Sequence, residues 1–206
     1  MGVTHRVHNF QHNPKQAHPL DSISLDSNPL LPPLRLAQRA SWGVTQNDQP
    51  PSLSLRPLQL SDAPRLLEWM TDQQCADLAI EPLRSLAQAE RLVTGQGYSH
   101  KHRYGIFLQQ NHVKDDLIGG CAWGLHSDGE AYLSYWVFPA YQRKGLGKKA
   151  ISILLAKIKH QGIKRVSAEV FDHNYASIAL LKRLGFVRQG ELRHENKRVL
   201  CFMVRI

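Results

Sequence analysis

From Tyr141 to Ala150 the chain reads Tyr-Gln-Arg-Lys-Gly-Leu-Gly-Lys-Lys-Ala, a run with the parts of a phosphate cradle. Gly145 and Gly147, one residue apart, let the backbone turn sharply and bring several N–H groups to one point. From Lys148 to His160, Ile151, Leu154, Leu155 and Ile158 recur at helical spacing. A helix starting here would add its unpaired N–H groups and the positive end of its dipole to the same loop. Arg143, Lys144, Lys148 and Lys149 supply further positive charge. The loop suits a pyrophosphate. It is not a P-loop, because Gln142 stands where the first glycine belongs and Lys149 where Ser or Thr is needed. Gly145-x-Gly147-x-x-Ala150, with Glu169 about twenty residues on, formally matches a dinucleotide fingerprint. However, Pro139–Lys144 separate the first glycine from the preceding strand, and too little chain follows Glu169 for a doubly wound sheet.

Two further groups of residues have chemical potential. In Val166–Phe171 the apolar Val166, Ala168 and Val170 alternate with Ser167, Glu169 and Phe171. Glu169 is therefore expected on the face away from the core, where a carboxylate can take a proton or simply pair with Lys164 or Arg165. Asn174 and Ser177, three residues apart, suit the start of a helix as capping residues. Gly185 then reads as its C-cap, with Phe186 the apolar residue that closes it.

These residues need elements to position them. Leu53–Leu58 alternates as a strand, and Ser61-Asp-Ala-Pro opens a helix through Met70. Pro82–Val93 is read as a second helix. Tyr104–Gln109 and Leu117–Leu125 are expected strands joined by the polar turn Asn111–Asp116, and Ser127-Asp-Gly129 turns the chain into the strand Ala131–Phe138. After the helix Lys148–His160 come the strand Val166–Phe171, the helix Tyr175–Leu184 and a terminal hairpin from Glu191. The order β-α-α-β-β-β-α-β-α-β-β predicts one mixed α/β domain over residues 52–206.

Gln142-x-x-Gly145-x-Gly147 after a strand resembles the acetyl-coenzyme A loop of the GNAT superfamily of N-acetyltransferases. The resemblance extends upstream to Tyr135-Trp-Val-Phe-Pro-Ala-Tyr141 and downstream to Asn174-Tyr-Ala-Ser177 and Leu181-Lys-Arg-Leu-Gly-Phe186. Leu55-Arg-Pro57 through Asp62 is similar to the family's opening strand and helix cap. The resemblance implies a mostly antiparallel central sheet flanked by helices, with one parallel strand pair splayed to admit the pantetheine arm. It implies acetyl-CoA as co-substrate and no metal. Gln142, Arg143, Lys144, Gly145, Leu146, Gly147 and Lys148 would hold the pyrophosphate. Backbone groups of Trp136, Val137 and Phe138 would bond the arm, with Asn174 beside it and Ser177 near the sulfur.

Glu169 resembles the base of ribosomal-protein alanine N-acetyltransferases. That branch carries a tyrosine acid where this chain has Leu181, so the kinship leans toward ribosomal-protein serine and alanine acetyltransferases and their drug- or polyamine-modifying relatives. Ser177, Tyr175 or Tyr141 then assists the departing thiolate, or it leaves unaided.

Composition is compatible with this. Of 206 residues, 42% are hydrophobic and the net charge is +9, which favours coenzyme A phosphates and RNA alike. Lys182, Arg183, Arg188, Arg193, Lys197 and Arg198 would equally serve a basic RNA- or ribosome-binding module with a degenerate acetyl-CoA pocket. The substrate is expected to be a primary amine on a peptide N-terminus, such as that of a ribosomal protein, or on a small molecule. No apolar run reaches the roughly 18–20 residues of a membrane-spanning helix, and the start lacks the layout of a secretory signal. Cys75, Cys121 and Cys201 lie too far apart for a disulfide framework or zinc site, in keeping with a reducing cytoplasm. A monomer and a dimer are both compatible with these features.

Residues 1–51, with four histidines and no sustained period, read as a disordered leader carrying one candidate docking segment, Leu30–Arg39. A chain shortened to begin at Ser52 is expected to keep its thermal midpoint. A drop of several degrees in a melting experiment would show instead that the leader packs on the domain.

Overall fold

The computed structural model divides the chain into two units, Met1–Asp48 and Gln49–Ile206. It describes residues 52–109 and 115–206. The expected leader and most of the turn after Gln109 lie outside the described residues.

The strands are β1 (Ser52–Pro57), β2 (His102–Gln109), β3 (Asp116–Leu125) and β4 (Ala131–Val137), followed by β5 (Arg165–Phe171), β6 (Val187–His194) and β7 (Lys197–Arg205). They make one sheet in the order β1-β2-β3-β4-β5-β7-β6. Every neighbouring pair is antiparallel except β4 and β5. This is the mixed, mostly antiparallel sheet the sequence predicts.

Helices α4 (Leu146–His160) and α5 (Tyr175–Arg183) accompany one apolar cluster of the sheet. The α4 stripe Ile151, Leu154, Leu155 and Ile158 is buried there against Val166, Ala168 and Val170. Each such side chain contributes about 1.5–3 kcal/mol of burial. A second cluster joins α1 (Ala63–Trp69), α2 (Asp72–Asp77) and α3 (Leu86–Thr94) to Phe107, Leu117, Trp136 and Phe138.

Local chemistry sets the helix boundaries. Asp62 accepts from the Gln59 N–H at 2.8 Å and takes both terminal nitrogens of Arg56 at 2.9 Å each. The Arg56 guanidinium also lies 3.7 Å from the centre of the Phe107 ring. Asp62→Ala would remove a nearly buried carboxylate, leave Gln59 N–H and the part-exposed Arg56 guanidinium without these bonds, and should lower stability by about 1 kcal/mol in a denaturant titration.

Three helices, not two, separate β1 from β2. The additional one, α2, is only six residues long and starts from Thr71, whose side chain accepts from the Gln74 N–H in a capping box. Its Thr-x-x-Gln signature is legible, but so short a segment carries too little apolar period to declare a helix. Residues 82–85, expected to be helical, are not; α3 begins only after Ser85, whose side chain caps it. The terminal hairpin also starts earlier than expected, at Val187, because Gly185 (φ +84°) ends the α5 segment and the chain re-enters the sheet at once.

Candidate active site

The parallel contact between β4 and β5 is limited to Ala131↔Val166 and Tyr132↔Ser167. Beyond it β4 continues on β3 as far as Val137, and β5 continues on β7 as far as Phe171. The two strands therefore part toward their C-terminal ends. Which backbone groups line the opening follows from the ladder. The Phe138 N–H donates to Ile118 O at 2.8 Å, and antiparallel strands alternate the direction of their groups. Phe138, Trp136 and Ser134 thus address β3, whereas Tyr135 presents its N–H and C=O, and Val137 its N–H, to the gap. On the far wall Asp172 N–H donates to Arg198 O, so the backbone N–H and C=O of Glu169 and Phe171 turn toward the gap. The backbone groups of Trp136 and Phe138 lie on the β3 side of the strand, and Tyr135 joins Val137 on the open wall.

The glycine loop follows β4 directly. Pro139–Tyr141 form a 3₁₀ turn, and α4 starts from Gly145 at φ +76°, with Arg143 also left-handed at φ +60°. The first intrahelical bond runs from Lys149 N to Gly145 O at 3.1 Å. The N–H groups of Leu146, Gly147 and Lys148 therefore have no partner within the helix. Arg143, Lys144 and Lys148 are exposed around them. Gly147 is small for a packing reason: a Cβ there would lie 3.0 Å from Leu180 Cδ1 and 3.6 Å from Val137 Cγ2. Gln142 acts on the protein itself, donating through Nε2 to Val137 O at 2.8 Å. Gln74, nearly buried on α2, donates to the same carbonyl at 2.8 Å. Val137 O is thus doubly held, tying the glycine loop and α2 to the rim of the gap.

At the N-terminus of α5, Asn174 Oδ1 accepts from Ser177 N–H at 3.1 Å, and Asn174 Nδ2 donates to Asp77 at 3.1 Å. Asp77 also takes Gln73 at 2.9 Å and meets His173 Nε2 at 3.2 Å. Asn174 is therefore a capping residue whose amide group also joins α5 to α2, with one N–H left for any further partner.

Glu169 projects from the β5 face opposite Val166, Ala168 and Val170, as the alternation predicts. It keeps an exposed surface. Nevertheless the protein around its carboxyl raises its pKa by desolvation, and the charges of His126 and His194 act in the opposite direction. Ser167, two residues earlier, donates to Ala131 O at 3.2 Å and lies 3.5 Å from His126 Nε2.

The tyrosines separate clearly. Tyr175 is 77% exposed. Tyr141 donates to Asp116, which also receives Arg65 at 2.8 Å; burial and that carboxylate push the phenol up to about 12. Tyr135, which the sequence reading gave no role, reaches from β4 to α5, with its hydroxyl 2.7 Å from Ser177 Oγ and 3.3 Å from Ser177 O. Strand alternation places Tyr135 beside Val137 and Leu133, but its meeting with Ser177 is set by the packing of α5.

A family model described as an acetyltransferase (GNAT) domain matches residues 52–187. The chain is 26% identical over 157 residues to the N-acetyltransferase p20 of Bacillus licheniformis, covering 70% of this chain and 84% of that protein. It is 30% identical over 98 residues to the spermine/spermidine N(1)-acetyltransferase of Bacillus subtilis, covering 43% of this chain and 64% of the relative. Among solved structures, an aminoglycoside acetyltransferase in complex with coenzyme A superposes with a TM-score of 0.60 at 16% identity, over 75% of this chain and 95% of the other. The apo ribosomal L7/L12 alpha-N-protein acetyltransferase does so with a TM-score of 0.62 at 19% identity, over 75% and 91%. These two likenesses concern the fold alone. With the family match, the parted strands and the glycine loop in agreement, the chain belongs to the GNAT family of acetyl-CoA-dependent N-acetyltransferases.

Proposed function

We propose that this chain moves an acetyl group from acetyl-CoA to a primary amine, on a peptide N-terminus or a small molecule, by direct attack. The observation that carries this reading is the parting of β4 and β5 beside the N-terminus of α4, with the Glu169 side chain on the β5 face opposite Val166, Ala168 and Val170. Acetyl-CoA supplies an activated acyl group on a thiol leaving group.

The N–H groups of Leu146, Gly147 and Lys148, with the charges of Arg143, Lys144 and Lys148, hold its pyrophosphate. Gln142 fixes the loop through Val137 O. The N–H and C=O of Tyr135 and the N–H of Val137 complete the ladder that β5 leaves open, using the arm as a surrogate strand. Glu169 accepts a proton from the amine as the C–N bond forms and the C–S bond breaks, the electron pair leaving on sulfur. A carboxylate whose pKa is raised by the protein around it is a stronger base than an unperturbed one, so the direction of its shift suits the role. Ser177 lies beside the sulfur, with Tyr175 exposed on the same helix.

A thiol-release assay with acetyl-CoA tests the proposal against peptide N-termini, polyamines, amino acids and aminoglycosides. Release that requires a primary amine of one of these classes is the expected result. No release with any amine, together with tight RNA binding, would favour the basic binding module instead.

A further inference from the structure

We infer that Tyr135 is a positioning residue for the acyl transfer, donating its phenolic proton to Ser177 Oγ so that the Ser177 hydroxyl in turn donates to the departing sulfur. The inference rests on the reading above, in which Ser177 lies beside the thioester.

Three features of the geometry support it. Tyr135 stands three residues beyond Tyr132, the last β4 residue paired with β5, so its side chain leaves the strand where the gap has just opened. Its hydroxyl bridges from the strand to the first turn of α5, 2.7 Å from Ser177 Oγ. The backbone of Ser177 is itself fixed, since its N–H is held by Asn174 Oδ1 at 3.1 Å. The serine is thus gripped at two points, and its hydroxyl hydrogen is left to choose a partner.

The direction of the bond follows from acidity. A phenol is a better donor than an aliphatic alcohol, and the contact to Ser177 Oγ is shorter than the one to Ser177 O at 3.3 Å. With Tyr135 donating, Ser177 Oγ is polarised and its own O–H is strengthened as a donor. Burial pushes the Tyr135 phenol up to about 12. Tyr135 therefore keeps its proton. No proton passes from either hydroxyl to sulfur in this scheme. The thiolate forms when the C–S electron pair departs, it is stabilised by the Ser177 hydrogen bond, and the proton lost by the amine goes to Glu169. This also accounts for a chain that has Leu181 where the alanine-specific branch is expected to carry a tyrosine acid: charge is stabilised in place of being neutralised.

The test uses Tyr135→Phe, Ser177→Ala and the double variant in the full chain, each checked for an unchanged melting midpoint. Coenzyme A itself is the first probe. Its thiolate absorbance, followed against pH in the bound state, should titrate about one pH unit lower in the wild type than in either variant. Turnover is the second readout. Tyr135→Phe should lower kcat about tenfold with KM for acetyl-CoA little changed, and should have no further effect once Ser177 is alanine. Equal titration in all the proteins would overturn the inference while leaving the enzyme reading intact. So would an undiminished loss from Tyr135→Phe in the Ser177→Ala background, which would mean that Tyr135 acts on sulfur directly or only on packing. A wild-type chain that binds no coenzyme A would overturn both readings, and the missing binding signal would separate that case from the others.

Discussion

Gly145→Asp is expected to abolish measurable acetyl-CoA binding in calorimetry while leaving a folded protein. In the free protein a Cβ at Gly145 meets nothing within 4 Å, so the substitution creates no clash. The cost to the fold is confined to the backbone, which sits at φ +76°. A non-glycine residue there costs about 1–2 kcal/mol, and Asp is among the side chains that tolerate it best. The cost to binding is much larger. A carboxylate about 4 Å from a phosphate repels it by about 4 kcal/mol at an effective dielectric constant near 20, or about three powers of ten in affinity. Gly145→Asn separates charge from bulk, since it keeps the shape and the backbone strain but not the repulsion. It should retain much of the affinity that Asp removes. Gly147→Asp should also prevent binding, but through a second route as well. Its side chain would press on Leu180 and Val137, so its melting midpoint should fall too. Unchanged acetyl-CoA affinity in folded Gly145→Asp would mean that the loop is structural only.

Glu169→Gln is expected to preserve acetyl-CoA affinity and to lower the acetylation rate by about 10²–10⁴, the range for a positioned proton acceptor. The amide keeps the shape of the carboxyl but cannot take the proton. The sign of the pH dependence is fixed by the role. The wild-type rate should fall as the pH drops through the Glu169 pKa, because the protonated acid is inactive as a base. Since desolvation raises that pKa, the acidic limb should stand above that of an unperturbed glutamate. In the Gln variant this limb should shift or vanish, and the ionisation of the amine alone would confine activity to neutral or alkaline pH. A different outcome, lost stability with normal turnover of the folded fraction, would make Glu169 a structural residue. Recording rate against pH alongside thermal melting separates the two, and near-normal turnover with an unaltered profile would move the search for the proton acceptor to water.

Local patterns in the sequence determined much of this protein. The α4 stripe, the alternation that turns Glu169 from the core, the glycine at the head of α4 and the cap formed by Asn174 each depend on residues within a few positions of one another. Periodicity and capping report on such distances, so these features were legible without coordinates. The boundaries of short elements were less so: α2 rests on a single capping box, and residues 82–85 stay outside α3, which Ser85 caps.

What the tertiary structure alone decided are relations between residues far apart in the chain. Which β4 groups face the gap depends on the register of β4 on β3, fixed where Phe138 N–H meets Ile118 O. The double hold on Val137 O requires Gln74 to arrive from 63 residues away. Tyr135 reaches Ser177 across 42 residues, and Asn174 reaches Asp77 across 97. No local period encodes such meetings, because they arise only when the helices settle on the sheet and buried polar groups must find partners there.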